Sequence, residues 1–138
     1  MAPCLKPVRY SPNVKGVCLA LLVGYCGLIF YLSHQSALPT PVLFAHQDKV
    51  IHVIAYAVLG FFALAYFTQV IKNEQRALIV AFIFSALYAA SDEWHQSFIS
   101  GRESDLYDWF ADILGAGLSL LIVTRWCFFK VKPNGRNP

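Results

Sequence analysis

The stretch from Tyr88 to Asp112 holds most of the side chains in this chain that could do chemistry. It contains six of the eight acidic residues, together with His95 and Arg102. Carboxylates and histidines exchange protons or hold cations, and the guanidinium fork of arginine suits phosphate or carboxylate groups. The stretch lies where two apolar segments meet. Because charge is costly to bury in apolar surroundings, acids concentrated at this point require partners or a function.

The composition indicates a membrane protein. Hydrophobic residues make up 57% of the 138 residues and charged residues only 14%. A soluble domain carries about 25% charged residues, so this chain cannot cover a soluble surface. Crossing the hydrocarbon core as a helix takes about 20 residues, and apolar segments of that size lie at about 14–32, 51–71, 77–98 and 106–129. The predicted fold class is an all-α membrane protein, a bundle of four transmembrane helices.

The basic residues predict the orientation of the bundle. Nine of the eleven lie before the first helix, between the second and third, or at and beyond the end of the fourth, whereas Lys49 and Arg102 fall on the other side. Lys and Arg accumulate in cytoplasmic loops, so both termini are expected to be cytoplasmic and the acidic stretch to face outward. We expect cytoplasmic tails over 1–13 and 131–138 and a transmembrane domain over 14–130. The first segment is long for a signal peptide and lacks a good cleavage pattern.

The third and fourth segments are too short to span unless the acidic stretch continues them. The third is apolar only from Ala77 to Ala90, about 21 Å of helix, whereas the hydrocarbon core is about 30 Å thick. The fourth has the same shortfall, since Ile113 to Thr124 gives about 18 Å. Polar residues must therefore complete both helices. Their outer ends are expected to lie at the depth where the second helix carries His52.

Helical spacing places the polar groups on shared faces. Residues three or four apart lie on one side of a helix, and this pattern occurs in the second, third and fourth helices. The three faces comprise Asp48, His52 and Tyr56; Tyr88, Asp92 and His95 or Gln96; and Asp105, Asp108 and Asp112, continued by Gly115 and Ser119. We expect these faces to enclose a polar, hydrated cleft near the outer side of the membrane.

Small residues predict close packing beneath the polar groups. Ala111, Gly115 and Ser119 recur four apart on the fourth helix, a pattern that lets two helices approach closely. The segment Ser100-Gly101-Arg102 is expected to turn between the third and fourth helices, because glycine adopts tight backbone conformations. This turn would hold Arg102 over the cleft.

Taken together, these motifs resemble the VanZ-like membrane protein family. The resemblance rests on Asp48-Lys49-x-x-His52-x-x-x-Tyr56, Asp92-Glu93-x-His95-Gln96-x-Phe98, Gly101-Arg102-x-x-Asp105-x-x-Asp108 and Gly115, with Ser33-His34-Gln35-Ser36 after the first helix. It implies a small multi-pass protein of the bacterial cytoplasmic (inner) membrane. The founding member of the family is associated with resistance to the glycopeptide antibiotic teicoplanin. The resemblance does not imply a reaction.

Two kinds of function fit the expected cleft. In one, the protein is an enzyme acting on a lipid-linked or phosphate-bearing envelope precursor, with Glu93, His95 and His52 as candidate catalytic acid–base groups. In the other, it binds such a lipid, an antibiotic or another membrane protein without catalysis. The candidate substrate-binding residues are Arg102, Asp105, Asp108, Asp48, Lys49, Gln96, Tyr56 and Asp92. The sequence leaves both functions open.

A purely structural interpretation is the alternative. The charged groups could form a salt-bridge network that locks three helices together in a non-catalytic scaffold. Lys49 would pair with Asp48, and Arg102 with Asp105 or Asp108.

Other residues carry structural interpretations of their own. Asp112, beside the small-residue stripe, is interpreted as a helix-packing hydrogen bond. Lys49 is interpreted as an anchor that reaches toward the interface, and His34 and His46 are interpreted as loop residues.

Cofactors and partners are only weakly specified. No cofactor is strongly implied and no metal ligand is assigned, although carboxylates and histidines from several helices could hold an ion in either kind of function. The cysteines lack a CxxC motif and lie away from the expected outer loops, which argues against a disulfide framework; they are Cys4, Cys18, Cys26 and Cys127. Expected partners are the lipid bilayer and a lipid-linked precursor or a membrane protein, and no nucleic acid.

Overall fold

The protein forms four long helices. The structure is a computed structural model that describes residues 12–36, 43–102 and 104–130, the last four of them by backbone alone. The helices are α1 (Pro12–Ser33), α2 (Gln47–Val70), α3 (Glu74–Gln96) and α4 (Leu106–Lys130). Each is long and apolar enough to cross a membrane. This confirms the predicted class of an all-α protein with four transmembrane helices. The tails predicted over 1–13 and 131–138 lie outside the described residues, apart from the first two positions of α1.

The polar residues lie at the ends of the helices. This was predicted for the third and fourth helices, because their apolar segments alone are too short to span the membrane. The second helix begins at Gln47, ahead of the predicted start, so Asp48 and Lys49 belong to its first turn. Asn73 caps α3 by accepting the backbone N–H of Arg76 at 2.9 Å. The third helix continues through the acidic stretch to Gln96. We call the end of the bundle where α2 and α4 begin and α1 and α3 end the polar end.

The second helix lies at the centre of the bundle. It packs against the other three, and its interface with α4 is the most extensive. The first helix is peripheral, and of its described residues only Leu22, Ile29 and Ser33 are buried. Most apolar side chains on the outside of the bundle are exposed, as expected where lipid rather than water surrounds the helices.

Glycines bring α2 and α4 together. A Cβ atom on Gly115 would collide with the backbone of Val53, and one on Gly60 would lie 2.7 Å from the Ser119 hydroxyl and 3.1 Å from the Ala116 backbone. The backbones of the two helices therefore touch with no side chain between them. This confirms the tight packing predicted around Gly115 and Ser119.

A short turn joins α3 to α4. Gly101 has a φ of 86°, a conformation that L side chains rarely adopt, and the Arg102 N–H donates to the carbonyl of Ile99 at 3.1 Å. A Cβ on Gly101 would also lie 3.3 Å from the Ser36 carbonyl oxygen. The predicted turn is confirmed.

Replacing Gly115 by alanine should destabilise the bundle. The added methyl group has no room against the Val53 backbone, and overpacking of this kind costs about 1–3 kcal/mol. Gly117→Ala is the matched control, because a Cβ there meets only the Phe82 ring at an ordinary 3.6 Å. Thermal unfolding in detergent should show a lower Tm for Gly115→Ala than for Gly117→Ala. Equal melting temperatures would mean that α2 and α4 do not approach as described.

Candidate functional site

Lys49 is the main cation at the polar end. Its Nζ lies 3.2 Å from Asp48, 2.7 Å from Asp105 and 2.5 Å from Asp108. Asp48 is largely exposed, whereas Asp108 is buried. The contact with Asp108 is ionic, since its geometry does not make a well-aligned hydrogen bond. A single ammonium group thus compensates carboxylates from α2, from α4 and from the residue that precedes α4.

Asp105 joins three parts of the structure. Its Oδ1 accepts the Tyr107 N–H at 2.9 Å and so caps α4, and its Oδ2 accepts from Lys49. Its own backbone N–H donates to Glu93 Oε2 at 3.0 Å. The Lys49 ammonium, followed by the Tyr107 N–H, lowers the pKa of the Asp105 carboxyl below its ordinary value. The carboxylate form of Asp105 is therefore part of the folded state.

Beneath Lys49, helices α2, α3 and α4 each contribute an ionisable side chain. His52 Nδ1 lies 2.9 Å from Asp112 Oδ1, so the imidazole N–H donates to a carboxylate on the facing helix. Asp112 is completely buried. Glu93 is close to both, and one ligand atom from each residue lies within 4.8 Å of the others. The helix-packing hydrogen bond predicted for Asp112 thus exists, and His52 is its donor.

Asp92 is held by neutral donors. Ser33 Oγ donates to its Oδ2 at 2.8 Å, Gln96 Nε2 at 3.2 Å and Tyr56 OH at 3.3 Å. These donors come from α1, α3 and α2. A buried carboxylate with several hydrogen bonds retains its charge at much lower cost than an unpaired one.

Arg102 contacts the end of α1. Its Nε donates to the Gln35 carbonyl at 3.2 Å and its Nη2 to the Leu32 carbonyl at 3.3 Å. These contacts satisfy carbonyls that a helix leaves unpaired at its C-terminus. The structural interpretation paired Arg102 with Asp105 or Asp108, but those carboxylates contact Lys49 instead.

His95 lies apart from the other catalytic candidates. Its Nε2 is 3.3 Å from His34 Nδ1, and its ring stacks on Phe30 with centroids 4.6 Å apart. It lines a second cavity together with Tyr88 and Trp94. The contacts of His95 are therefore with α1, and they separate it from the α2–α4 interface that holds His52.

A cavity of about 430 Å³ opens between α1, α2 and α3 at the polar end. Its walls combine apolar side chains with a few polar ones. The polar and charged members are Ser33, His46, Gln47, Asp48, His52, Tyr56, Asp92, Gln96 and Arg102. Six of the eleven predicted site residues thus face one space: Asp48, His52, Tyr56, Asp92, Gln96 and Arg102.

The chain matches a known family over nearly the whole bundle. The sequence profile of VanZ/LLP1 matches residues 17–129, which includes nearly all of the four helices. The chain belongs to the VanZ/LLP1 family. The match covers nearly the whole bundle, so family membership does not by itself identify a site or a reaction.

A fungal protein is also similar to this chain. The uncharacterized protein C11E3.10 of Schizosaccharomyces pombe is 31% identical over 108 residues, which make up 75% of this chain and 60% of the relative. The chain therefore spans about 60% of the length of that curated relative. No solved structure matches the chain.

Four of the five remaining predicted residues lie together between α2, α3 and the start of α4. Lys49, Asp105 and Asp108 form the ion-pair cluster between α2 and α4, while Glu93 lies between this cluster and Asp112. Among the described residues, none of these four side chains lines the cavity. Of the three predicted catalytic candidates, His52 and Glu93 therefore lie together beside Asp112, whereas His95 lies apart from them near the end of α1.

Sequence reasoning missed two contributors from the end of α1. Ser33 bonds Asp92, and His34 contacts His95. His34 is in a loop, as interpreted, but it still contacts a candidate residue. The polar run Ser33-His34-Gln35-Ser36 directly after an apolar helix was the available signal, and it was used only to support the family resemblance.

Replacing Lys49 by methionine should lower the stability of the fold and raise the pKa of Asp105. Asp108 would lose its counter-ion, at a cost of about 2 kcal/mol at neutral pH. The pKa of Asp105 should rise toward its ordinary value, because the Lys49 hydrogen bond is the main cause of its lowering. Lys72→Met, at the opposite end of α2, should leave both quantities unchanged.

The pH dependence has a definite sign. A carboxyl with a lowered folded-state pKa stabilises the fold above its unfolded pKa and loses that contribution as the pH falls through the folded value. The stability advantage of the wild type over Lys49→Met should therefore be complete at neutral pH and shrink on acidification below about pH 4. Carboxyl NMR titration of Asp105 and unfolding at several pH values measure the two effects. An unchanged Asp105 titration in Lys49→Met would contradict the assignment.

Proposed function

We propose that this protein binds a membrane amphiphile with a phosphate-bearing headgroup in the cavity at the polar end. The observation that carries the proposal is the cavity itself, which joins apolar walls to buried polar side chains at one end of a transmembrane bundle. A cavity of about 430 Å³ lies in the ordinary range for small-ligand sites. It can hold a headgroup and the first part of a lipid chain.

The apolar walls suit the chain of an amphiphile. Ile29 and Leu32 come from α1, Ile51 and Ala55 from α2, and Phe44 from the segment before α2. In a bilayer, lipid would contact the exposed apolar side chains on the outer surface of these helices. A chain can therefore extend from the cavity into the bilayer without exposing apolar surface to water.

The polar lining suits a headgroup with phosphate and hydroxyl groups. Arg102 uses one N–H on each of two carbonyls, and a guanidinium carries five N–H donors. His46 lines the same space and provides a further donor. Asp48 and Asp92 can accept from hydroxyl groups, and their charge disfavours a headgroup made of phosphate alone.

Binding fits the geometry better than catalysis. Of the catalytic candidates Glu93, His95 and His52, only His52 lines this cavity among the described residues. An acid–base reaction requires its proton-transfer groups within about 3 Å of the reacting atoms. We therefore assign the cavity a binding role, with His52 as a contact to the headgroup.

The family and its fungal relative bear on the ligand class. The founding VanZ protein suggests a lipid-linked envelope precursor and an effect on teicoplanin sensitivity in a bacterial host. The similarity to a fungal protein favours a ligand that bacteria and fungi share. Phosphate-bearing lipids meet that condition, whereas a component restricted to the bacterial wall does not.

A scaffold function is the second candidate, and one observation favours it. Lys49 bridges carboxylates from α2 and the start of α4, which is the salt-bridge network expected of a protein that only supports its own helices. In that case cavity substitutions would change stability and lipid content together. In a binding protein, a cavity substitution can lower the lipid content while the stability stays the same.

Filling the cavity should remove the bound lipid. Ile51→Trp places a large side chain in the cavity, and Ile54→Trp is the matched control because Ile54 is 59% exposed on the same helix and does not line it. Protein purified in mild detergent should lose about tenfold in co-purified lipid for Ile51→Trp alone. Similar lipid content in both variants, with the same melting temperature, would refute the cavity as the site.

Two probes test the phosphate requirement. Phosphatidic acid and diacylglycerol with identical chains differ only in the phosphate. The wild type should bind phosphatidic acid about tenfold more tightly, which corresponds to about 1.4 kcal/mol. Arg102→Gln should remove this preference, and its melting temperature reports separately on the lost contacts to α1. Equal affinity of the wild type for the two lipids would contradict a phosphate-bearing ligand.

We also propose that the polar end faces the extracytoplasmic side, as the basic residues predict. Single cysteines can test this in a chain whose four native cysteines are replaced by alanine. In intact cells a membrane-impermeant maleimide should label Phe44→Cys, at the polar end, and should label Lys72→Cys only after permeabilisation. The reverse pattern would show that the bundle is inverted.

A further inference from the structure

The group formed by His52, Glu93 and Asp112 is not explained by the cavity. Helices α2, α3 and α4 contribute one residue each, and one ligand atom of every member lies within 4.8 Å of the others. Glu93 is 6% exposed and Asp112 is fully buried. Two buried carboxylates this close repel one another unless a cation lies between them or one of them takes up a proton.

Each of the two carboxylates keeps an oxygen without a partner. Glu93 Oε2 accepts the Asp105 N–H and Asp112 Oδ1 accepts from His52. Glu93 Oε1 and Asp112 Oδ2 are buried and have no hydrogen-bond partner among the described residues. A buried, unsatisfied oxygen on a charged group is costly. Two of them in one group indicate a ligand that accepts electron pairs.

Among the described residues, the two cations at the polar end do not meet this need. Lys49 is engaged by Asp48, Asp105 and Asp108, and Arg102 donates to the end of α1. The three carboxylates around Lys49 already outnumber its single charge. The group beneath it therefore has an excess of negative charge.

We propose that His52, Glu93 and Asp112 bind a divalent metal cation between α2, α3 and α4. One neutral imidazole and two carboxylates carry a total charge of −2, so a divalent ion gives a buried site with no net charge. Such a site is much less costly in an apolar bundle than the carboxylates alone.

The ligand chemistry favours zinc. Imidazole suits zinc and other transition ions, and carboxylates bind zinc as well as harder cations. Ligands of a tetrahedral zinc ion lie about 3.3 Å apart, given bond lengths of about 2.0–2.1 Å. His52 Nδ1 and Asp112 Oδ1 are already 2.9 Å apart, so the ion would take the place of the proton between them. Since imidazole binds a metal in its neutral form, affinity should fall on acidification.

The proposed metal site can be tested separately from the proposed lipid cavity. Its carboxylates are not part of the cavity lining among the described residues, and only His52 borders both. Lipid binding can therefore fail while metal binding holds, and the converse is also true.

Metal content of the wild type is the direct test. Protein produced with a tag that contains no histidine should carry about one zinc ion per chain, as measured by inductively coupled plasma mass spectrometry. After treatment with EDTA, its melting temperature should fall. Adding Zn²⁺ at about one hundred times its dissociation constant should raise it again by at least about 5 °C. Mn²⁺ and Mg²⁺ serve as comparison ions.

Matched variants locate the ion. His52→Gln and Asp112→Asn should reduce the zinc content to background. His95→Gln and Asp48→Asn remove the same types of side chain at the same end of the bundle, outside the proposed ligand set, and should retain about one equivalent. The wild-type measurements keep the test decisive even where a ligand variant folds poorly.

Two results would overturn the proposal. One is wild-type protein without stoichiometric metal whose melting temperature responds to none of the three ions. The other is an equal loss of zinc in the ligand variants and in their controls, which would show adsorption to the acidic end as a whole.

Discussion

The need to give partners to buried carboxylates governs the organisation of this bundle. Four of them, Asp92, Glu93, Asp108 and Asp112, are buried at the polar end. Each would be costly alone in apolar surroundings. Lys49 compensates Asp108, neutral donors from three helices hold Asp92, and His52 donates to Asp112. These contacts join the helices at this end, because Asp92, Asp108 and Asp112 each have at least one partner on another helix.

The apolar seam below makes these contacts possible. Gly60 and Gly115 let the backbones of α2 and α4 touch. At that separation the short side chain of Asp112 reaches His52, and Lys49 reaches the start of α4. A wider seam would leave the same charges without partners. Close packing and charge compensation are therefore one structural feature, in which the first determines the distances that the second requires.

The polar end then separates two kinds of chemistry. On the side of α1, polar groups border a cavity whose walls are mostly apolar, and this arrangement suits an amphiphile. Behind it, His52, Glu93 and Asp112 form a compact group with unsatisfied oxygens, and this arrangement suits a cation. His52 borders both. A ligand in the cavity and an ion in the group would thus influence one another through a single imidazole, without any change in the packing of the helices.

Helix lengths, small residues and the acidic stretch were enough to predict the bundle. The hydrocarbon core has a fixed thickness, and each helix that crosses it must pair its own backbone N–H and C=O groups. An apolar chain of this length can therefore adopt only a few arrangements of helices. The same argument brought the acids of α3 and α4 to the level of His52, and the structure places them there. The pairing of Asp112 across the small-residue stripe was also predictable, because a carboxylate at that position must bond to the helix that the stripe contacts.

Partner choice among the charges was decided by the tertiary structure. Periodicity gives the face of a helix but not its rotation against its neighbours, and a rotation of one residue changes which charges meet. The sequence therefore did not determine that Lys49, not Arg102, contacts Asp105 and Asp108, or that Ser33 reaches Asp92. It determined that this protein has four membrane helices and a polar end. The close approach of α2 and α4 decided which of its side chains share a cavity and which form an ion pair. It also decided that Glu93 and Asp112 each keep an oxygen with no hydrogen-bond partner among the described residues.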